Sequence, residues 1–259
     1  MNDYIGVFPA AGRATRLGLS GISKEVIPVR VGTESPRPVG QFLLQAWADA
    51  DIQDAVIIGR PGKADLQSTL TACAPTRMTL QFCDAIYPWG TPFTLDAAYE
   101  KTQGRAVALG FPDIVLSPPD IFRQLRVAFE TQPCDIMLAL FPATAPARSD
   151  MVRLSDDGRV QALQIKPPET DLTQTWAAGL WQPVFSEFLH DYIARVTPHF
   201  QADPSHPEPY VGTVINAAIE SGLRVKGISV RDGDMFDIGT PDALEIAQRG
   251  LFLDKFARS

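Results

Sequence analysis

Cysteine and histidine are scarce in this chain, with three of each among 259 residues. Cys73, Cys83 and Cys134 lie far apart and form no C-x-x-C pair, which removes the usual signature of a thiolate zinc site. An odd, sparse count fits buried thiols in a reducing compartment, so a cytoplasmic location is expected. His190, His199 and His206 show no ligand spacing such as H-E-x-x-H, and ordinary packing or surface roles are expected for them. Long apolar runs are missing too. No segment approaches the roughly 20 apolar residues of a membrane helix, and the N-terminus lacks the basic region and apolar run of a signal peptide. Basic charge is also short: 23 Lys and Arg stand against 30 Asp and Glu, a net charge of -7. That excludes broad electrostatic binding of nucleic acid or of an anionic membrane surface, although a local cluster of Arg, Lys and metal can still hold a polyanion.

Apolar strands alternating with amphipathic helices are what the chain does contain. Residues 4–9, 54–59, 78–83, 106–111 and 135–141 read as strands, most of them continuous apolar runs of the kind a sheet buries on both faces. Between them, 40–50, 63–73, 91–101 and 120–131 read as helices. Farther on, 151–166 holds two short strands around the turn Asp156-Asp157-Gly158, and 176–181 is a strand before a helix over 185–195. Residues 198–209 carry four prolines in twelve positions and read as an exposed loop. A helix over 211–221, a strand over 224–230 and a closing helix over 240–255, with Thr240 as N-cap, complete the pattern. No internal repeat or low-complexity tail interrupts it. The expected fold is α/β: a Rossmann-like, mostly parallel mixed sheet with helices on both faces. One domain over 1–259 is expected, with 1–115 and 116–259 as its halves and the second of them substrate-binding. Ligands of such sheets sit at the carboxyl ends of the strands.

The first strand runs into Pro9-Ala10-Ala11-Gly12-Arg13-Ala14-Thr15-Arg16-Leu17, followed by Ser23-Lys24-Glu25-Val26-Ile27-Pro28. Small residues let backbone N–H groups approach phosphate oxygens closely. Arg16 offers a rigid fork of donors and Lys24 a mobile point charge, both suited to a triphosphate. Asp113 follows a buried strand, where a carboxylate can hold a hard cation such as Mg²⁺. Taken singly, each residue also has an ordinary structural reading as a turn, a cap or a solvated charge.

Together these segments resemble the sugar-1-phosphate nucleotidyltransferases, of the glucose-1-phosphate uridylyltransferase and thymidylyltransferase kind. The loop resembles that family's G-x-G-T-R-L followed by P-K, and Leu109-Gly110-Phe111-Pro112-Asp113 its L-G-D-D. Pro88-Trp89-Gly90-Thr91 resembles P-x-G-T, and Lys166-Pro167 resembles E-K-P. Ala178-Gly179 resembles A-G-x-Y, and Phe236-Asp237-Ile238-Gly239-Thr240-Pro241 resembles W-x-D-I-G-T-P. The likeness runs in order from Val7 to Pro241. It implies catalytic roles for Arg16, Lys24 and Asp113, with Mg²⁺ on Asp113 and Asp237. It implies contacts to nucleotide or sugar from Ala11, Gly12, Ala14, Gly90, Thr91, Lys166 and Gly179. The substrates would be an NTP, with UTP or dTTP favoured, and a sugar-1-phosphate.

Four departures bear on substrate. Ala14 replaces the second Gly of G-x-G, and Ser23 stands where Pro usually precedes the Lys. Ile165 replaces the Glu of E-K-P, which in the family helps hold sugar hydroxyls, and Ala85 lies near the place of a base-reading Gln. They leave open a non-catalytic nucleotide or NDP-sugar sensor of the same fold, and a CTP-dependent transferase acting on a monoester such as phosphocholine. A nicotinamide dehydrogenase is disfavoured, because Ala14 breaks G-x-G-x-x-G and the second strand ends in Gly59-Arg60 rather than an acid. The oligomeric state is open, a homo-oligomer included.

Overall fold

The computed structural model describes residues 3–18, 21–32, 34–203, 205–230 and 232–250, with the Arg16 side chain excepted. The elements in order are β1 (Tyr4–Pro9), β2 (Pro28–Val29), β3 (Arg37–Pro38), α1 (Val39–Asp49), β4 (Asp54–Gly59), α2 (Ala64–Cys73) and β5 (Thr79–Asp84). Then come α3 (Thr91–Asp96), α4 (Tyr99–Thr102), β6 (Ala106–Gly110), β7 (Ile114–Ser117), α5 (Ile121–Thr131) and β8 (Ile136–Pro142). The last group is β9 (Asp150–Leu154), β10 (Val160–Ile165), β11 (Gln174–Trp181), α6 (Pro183–Ala202), α7 (Val211–Glu220), β12 (Val225–Ser229), β13 (Asp234–Asp237) and α8 (Pro241–Arg249).

Among the described residues the main sheet has nine strands. Across it, β5, β4, β1 and β6 run parallel; β11 is antiparallel to both β6 and β8; and β12 lies parallel to β8. The β9–β10 hairpin joins through the pairing of Met151 with Thr175 of β11. The fold is therefore the mostly parallel mixed α/β sheet that the sequence predicts.

Period-two alternation explains the two layers. On β1, Tyr4 and Phe8 enter the core under α1, α2 and α5, while Ile5 and Val7 enter the core under α3, α6 and α7. β8 divides in the same way, with Met137, Ala139 and Phe141 on one side and Ile136, Leu138 and Leu140 on the other. In α5, Ile121, Phe122, Leu125, Ala128 and Phe129 form one apolar stripe. Trp47 is fully buried, with its ring edge-on to Phe8 and Phe122 at centroid distances of 6.4 and 5.9 Å. Fully burying a side chain such as Phe8 is worth about 1.5–3 kcal/mol, so this sheet interior dominates stability.

Several boundaries differ from the sequence reading. The helix expected over 91–101 divides into α3 and α4, because Ala97 and Ala98 turn tightly between them. The expected loop at 198–209 is helical as far as Ala202, and α6 carries Pro198 in its interior. Phe200 packs against Trp89 and Phe93 at 5.7 and 5.1 Å, and that contact outweighs the breaker. The short strands β2, β3, β7 and β13 gave no periodic signal, since none exceeds four residues. Thr240 caps α8 as expected, accepting from the Ala243 N–H at 3.3 Å. Residues 251–255 of the expected closing helix lie outside the described residues. No helix among the described residues is long and apolar enough to cross a membrane.

Candidate active site

At the carboxyl end of β1 the chain leaves the sheet through Ala10, whose N–H donates to Ile58 O at 2.8 Å. Gly12 and Arg13 are exposed beyond it. Ala14 adopts φ 51° and ψ 31°, the left-handed region that glycine enters freely. Holding alanine there costs about 1–2 kcal/mol, so the loop keeps the backbone course of a glycine without the glycine. Arg16 begins no element of its own. It lies within the single 3-10 turn Thr15–Leu17, and its side chain, a candidate phosphate ligand, lies outside the described residues.

The Lys24 turn is tied down from two directions. Ser23 donates its N–H and its hydroxyl to the Asp65 carboxylate at 2.7 and 2.8 Å. Glu25 is fully buried and accepts from the Lys63 ammonium at 2.9 Å, and that ammonium also donates to Ala10 O at 2.5 Å. Burial pushes the Glu25 carboxyl up, against the pull of Lys63 and Lys24. Lys63 and Asp65 flank the start of α2, so this one helix end fixes both the strand exit and the turn. Sequence reading assigned no role to Lys63 or Asp65, though a signal existed. A lysine at an N-cap is poorly suited to satisfying orphan N–H groups or the helix dipole, which implies an obligation elsewhere.

Between these anchors Lys24 reaches across to pair with Asp113. Burial alone would lower the Lys24 ammonium, but Asp113, Glu25 and Asp237 outweigh it and hold it above its ordinary value. It is therefore a cation at neutral pH. Asp113 is brought to Asp237 by the ribbon of β7 and β13, in which Ile114 pairs with Asp237. The Ile238 N–H donates to Asp113 O at 3.0 Å, and the Gly239 N–H donates to Asp237 Oδ1 at 2.7 Å. Two carboxylates 124 positions apart in sequence thus share one small space. Asp237 is open to solvent in area yet crowded within the cleft, and its carboxyl is pushed up by this desolvation and by the charge of Asp113. Lys24 and Arg148, the latter unnoticed in the sequence, pull it back down.

Two adjacent carboxylates incompletely neutralised by one lysine suit a hard divalent cation. Mg²⁺ commonly takes one or two carboxylates, with phosphate oxygens and waters completing its shell. No cluster of three or more His, Cys, Asp or Glu side chains offers an all-protein cage among the described residues. Asp113 and Asp237 therefore fit a cation shared with a phosphate substrate rather than one held by protein alone.

The other residues expected to contact nucleotide or sugar lie on other elements. Gly90 has φ 105°, and a Cβ there would stand 3.0 Å from Pro209 O, so the stretch before α3 packs directly on residues 208–209. Tyr87 stacks on Trp89 at 4.4 Å, and Thr91 opens α3. Lys166 is left-handed at φ 43°, and its ammonium lies 3.7 Å from the centre of the Tyr210 ring. Gly179 is buried within β11, opposite Leu109 on one side and Leu138 on the other, in an apolar setting. The structure thus brings Lys24, Asp113 and Asp237 together. It gives Lys166 a ring for a partner, and sets Gly179 inside the sheet rather than among the charged groups.

No family model matches this sequence, and no curated protein does. Solved structures do resemble it. A protein described as a glucose-1-phosphate thymidylyltransferase, from Bacillus anthracis and in complex with sucrose, superposes with a TM-score of 0.80 at 18% identity, covering 98% of each chain. A UTP-bound UDP-glucose pyrophosphorylase from Acinetobacter baumannii gives 0.74 at 15% identity, covering 95% of this chain and 92% of that one. A UDP-glucose pyrophosphorylase complexed with UDP-glucose gives 0.78 at 14% identity, over 96% and 98%. The chain therefore has the nucleotide-diphospho-sugar transferase fold that these sugar-1-phosphate nucleotidyltransferases share.

Proposed function

We propose that this protein is a nucleotidyltransferase that joins an NTP, with UTP or dTTP favoured, to a sugar-1-phosphate. A phosphate oxygen of the sugar-1-phosphate attacks the α-phosphorus in line. The bond from that phosphorus to the bridging oxygen breaks, and pyrophosphate leaves with the electron pair. The substrate already carries an anionic nucleophile, so no covalent enzyme intermediate is needed. Such a transfer is mostly positioning and neutralisation of charge. The observation that carries the reading is the convergence of Lys24, Asp113 and Asp237 beside the exit of β1, on a fold shared with enzymes of this class.

Lys24 stays protonated and neutralises charge on the α-phosphate and the departing pyrophosphate. Arg16 gives the triphosphate a second cation, and the backbone of Ala11, Gly12 and Ala14 lies along it. Gly90 and Thr91 face the nucleotide or sugar, and Lys166 holds the incoming phosphate, whereas Gly179, packed against Leu138 and Met137, is left a place in the sheet. Asp113 and Asp237 would hold Mg²⁺, which when bound supplies charge stabilisation to the phosphates. The substrates are cytoplasmic in this reading, and neither nucleic acid nor membrane is a partner.

Pyrophosphate release is measured on a grid of UTP, dTTP, CTP, ATP and GTP against several sugar-1-phosphates and phosphocholine, with Mg²⁺. Release with UTP or dTTP and one sugar-1-phosphate is expected. Nucleotide binding without turnover anywhere on the grid would replace the transferase reading with that of a sensor.

A further inference from the structure

The β9–β10 ribbon pairs Asp150 directly with Ile165. Directly opposed residues of an antiparallel pair point to the same face, with Cβ atoms about 4.5–5.5 Å apart. The carboxylate missing at position 165, where E-K-P carries Glu, is therefore present one strand away, beside Lys166. The ribbon itself is held firmly. Asn216 of α7 donates to Leu163 O and accepts from the Leu163 N–H, both at 2.8 Å, so the edge strand is clamped two positions before Ile165, where Leu163 faces Val152.

The surroundings of Asp150 are those of a group kept for a purpose. Its Oδ1 is buried and accepts no hydrogen bond. Lys166, the Gly212 N–H and Trp176 bear on the carboxylate, and burial pushes its pKa up against their pull. A Cβ at Gly212 would come within 2.6 Å of Asp150 Oδ2 and 2.7 Å of Ile165 Cδ1, so α7 leaves space for both side chains. Capping α7 would account for Oδ2 alone. A buried carboxylate oxygen with no donor costs about 1–3 kcal/mol, and a donor that arrives with substrate accounts for it.

We propose that Asp150 takes the place of the absent carboxylate at 165, accepting a hydrogen bond from a hydroxyl of the sugar-1-phosphate and so setting which sugars are used. The inference rests on the transferase reading above. It adds that selection differs from that of a Glu at 165. A carboxylate displaced by one strand approaches the ring from another side and reads a different hydroxyl.

Steady-state kinetics on glucose-, galactose- and mannose-1-phosphate and their monodeoxy analogues, for the wild type, Asp150→Asn and Asp150→Asn with Ile165→Glu, test it. Asp150→Asn is expected to raise KM for the preferred sugar-1-phosphate about 10- to 100-fold, the worth of a hydrogen bond to a charged group, with KM for the NTP unchanged. The deoxy analogue lacking the recognised hydroxyl should show no such loss, and Ile165→Glu should restore binding with a changed order of sugars. An unchanged sugar KM with only a lower Tm would leave Asp150 as a helix cap and overturn the proposal. Turnover of phosphocholine in preference to every hexose phosphate would overturn the hydroxyl assignment while keeping the transferase. A wild type inert toward all acceptors would overturn the transferase reading itself.

Discussion

The two ends of the candidate site are held together by different forces. At the Lys24 end, three separate segments are joined by charge: Ser23 to Asp65, Glu25 to Lys63, and Lys24 to Asp113. At the Lys166 end, the ties are rings and apolar surface: Lys166 over Tyr210, Tyr87 on Trp89, and Trp89 on Phe200. Charged hydrogen bonds demand fixed partners and geometry, whereas apolar packing tolerates exchanges that conserve volume. In the proposed transfer the first end would supply chemistry common to many substrates, and the second the selection among them. The departures do not follow this division, since Ala14 and Ser23 lie at the Lys24 end and Ile165 at the other. Lys24, Asp113 and Asp237 match the family pattern, while Ile165 does not.

The contrast can be broken most sharply at Lys63. Lys63→Met leaves Glu25 buried without its partner and should cost roughly 3–5 kcal/mol in urea unfolding. Adding Glu25→Gln should recover most of it, and a negligible loss in the single variant would mean the pair ties nothing down. Asp113→Ala should next lower kcat/KM by at least about 100- to 1000-fold, the effect of losing one preorganised charge stabiliser, with Tm little changed. Normal turnover would remove Asp113 from the chemistry. A smaller effect is expected at the other end. Lys166→Ala should raise KM for the sugar-1-phosphate about tenfold, close to 1.4 kcal/mol, and leave KM for the NTP alone. Equal changes in both constants would dissolve the division between the two ends.

The smallest effect lies away from the site and serves as a control. Arg224 holds the Asp135 carboxyl below its ordinary value through hydrogen bonds of 2.7 to 3.2 Å. A depressed carboxyl contributes stability above its unfolded pKa, and loses it as pH falls through the folded one. The Tm difference between wild type and Arg224→Gln should therefore be present at pH 6 and shrink below about pH 4. A difference that grew with acid would reverse the assignment.

The sheet was legible in the sequence because its strands are continuous apolar runs. β1 and β4 begin and end where the pattern places them. Lys24, Asp113 and Asp237 were legible through short segments in a fixed order. What stayed hidden is relational. Nothing in Lys63 or Asp65 alone names Ser23 or Glu25 as partners, because those contacts span 38 to 42 positions. Pro198 concealed the last turn of α6, since its stabilising partner Trp89 lies on a distant loop. Asp150 lies just before the strands expected within 151–166 and carried no signal of its own; only the register sets it against Ile165.

The β7–β13 ribbon has a consequence for biosynthesis. Every strand of the nine-stranded sheet has been synthesised once Ser229 is added, yet Asp113 still lacks its neighbour Asp237. The ribbon closes only when residues 234–237 follow. The strands of the sheet and the Lys24 turn therefore all precede Asp237 in order of synthesis. The Asp113–Asp237 pair is completed late, by a four-residue strand whose ladder lies outside that sheet.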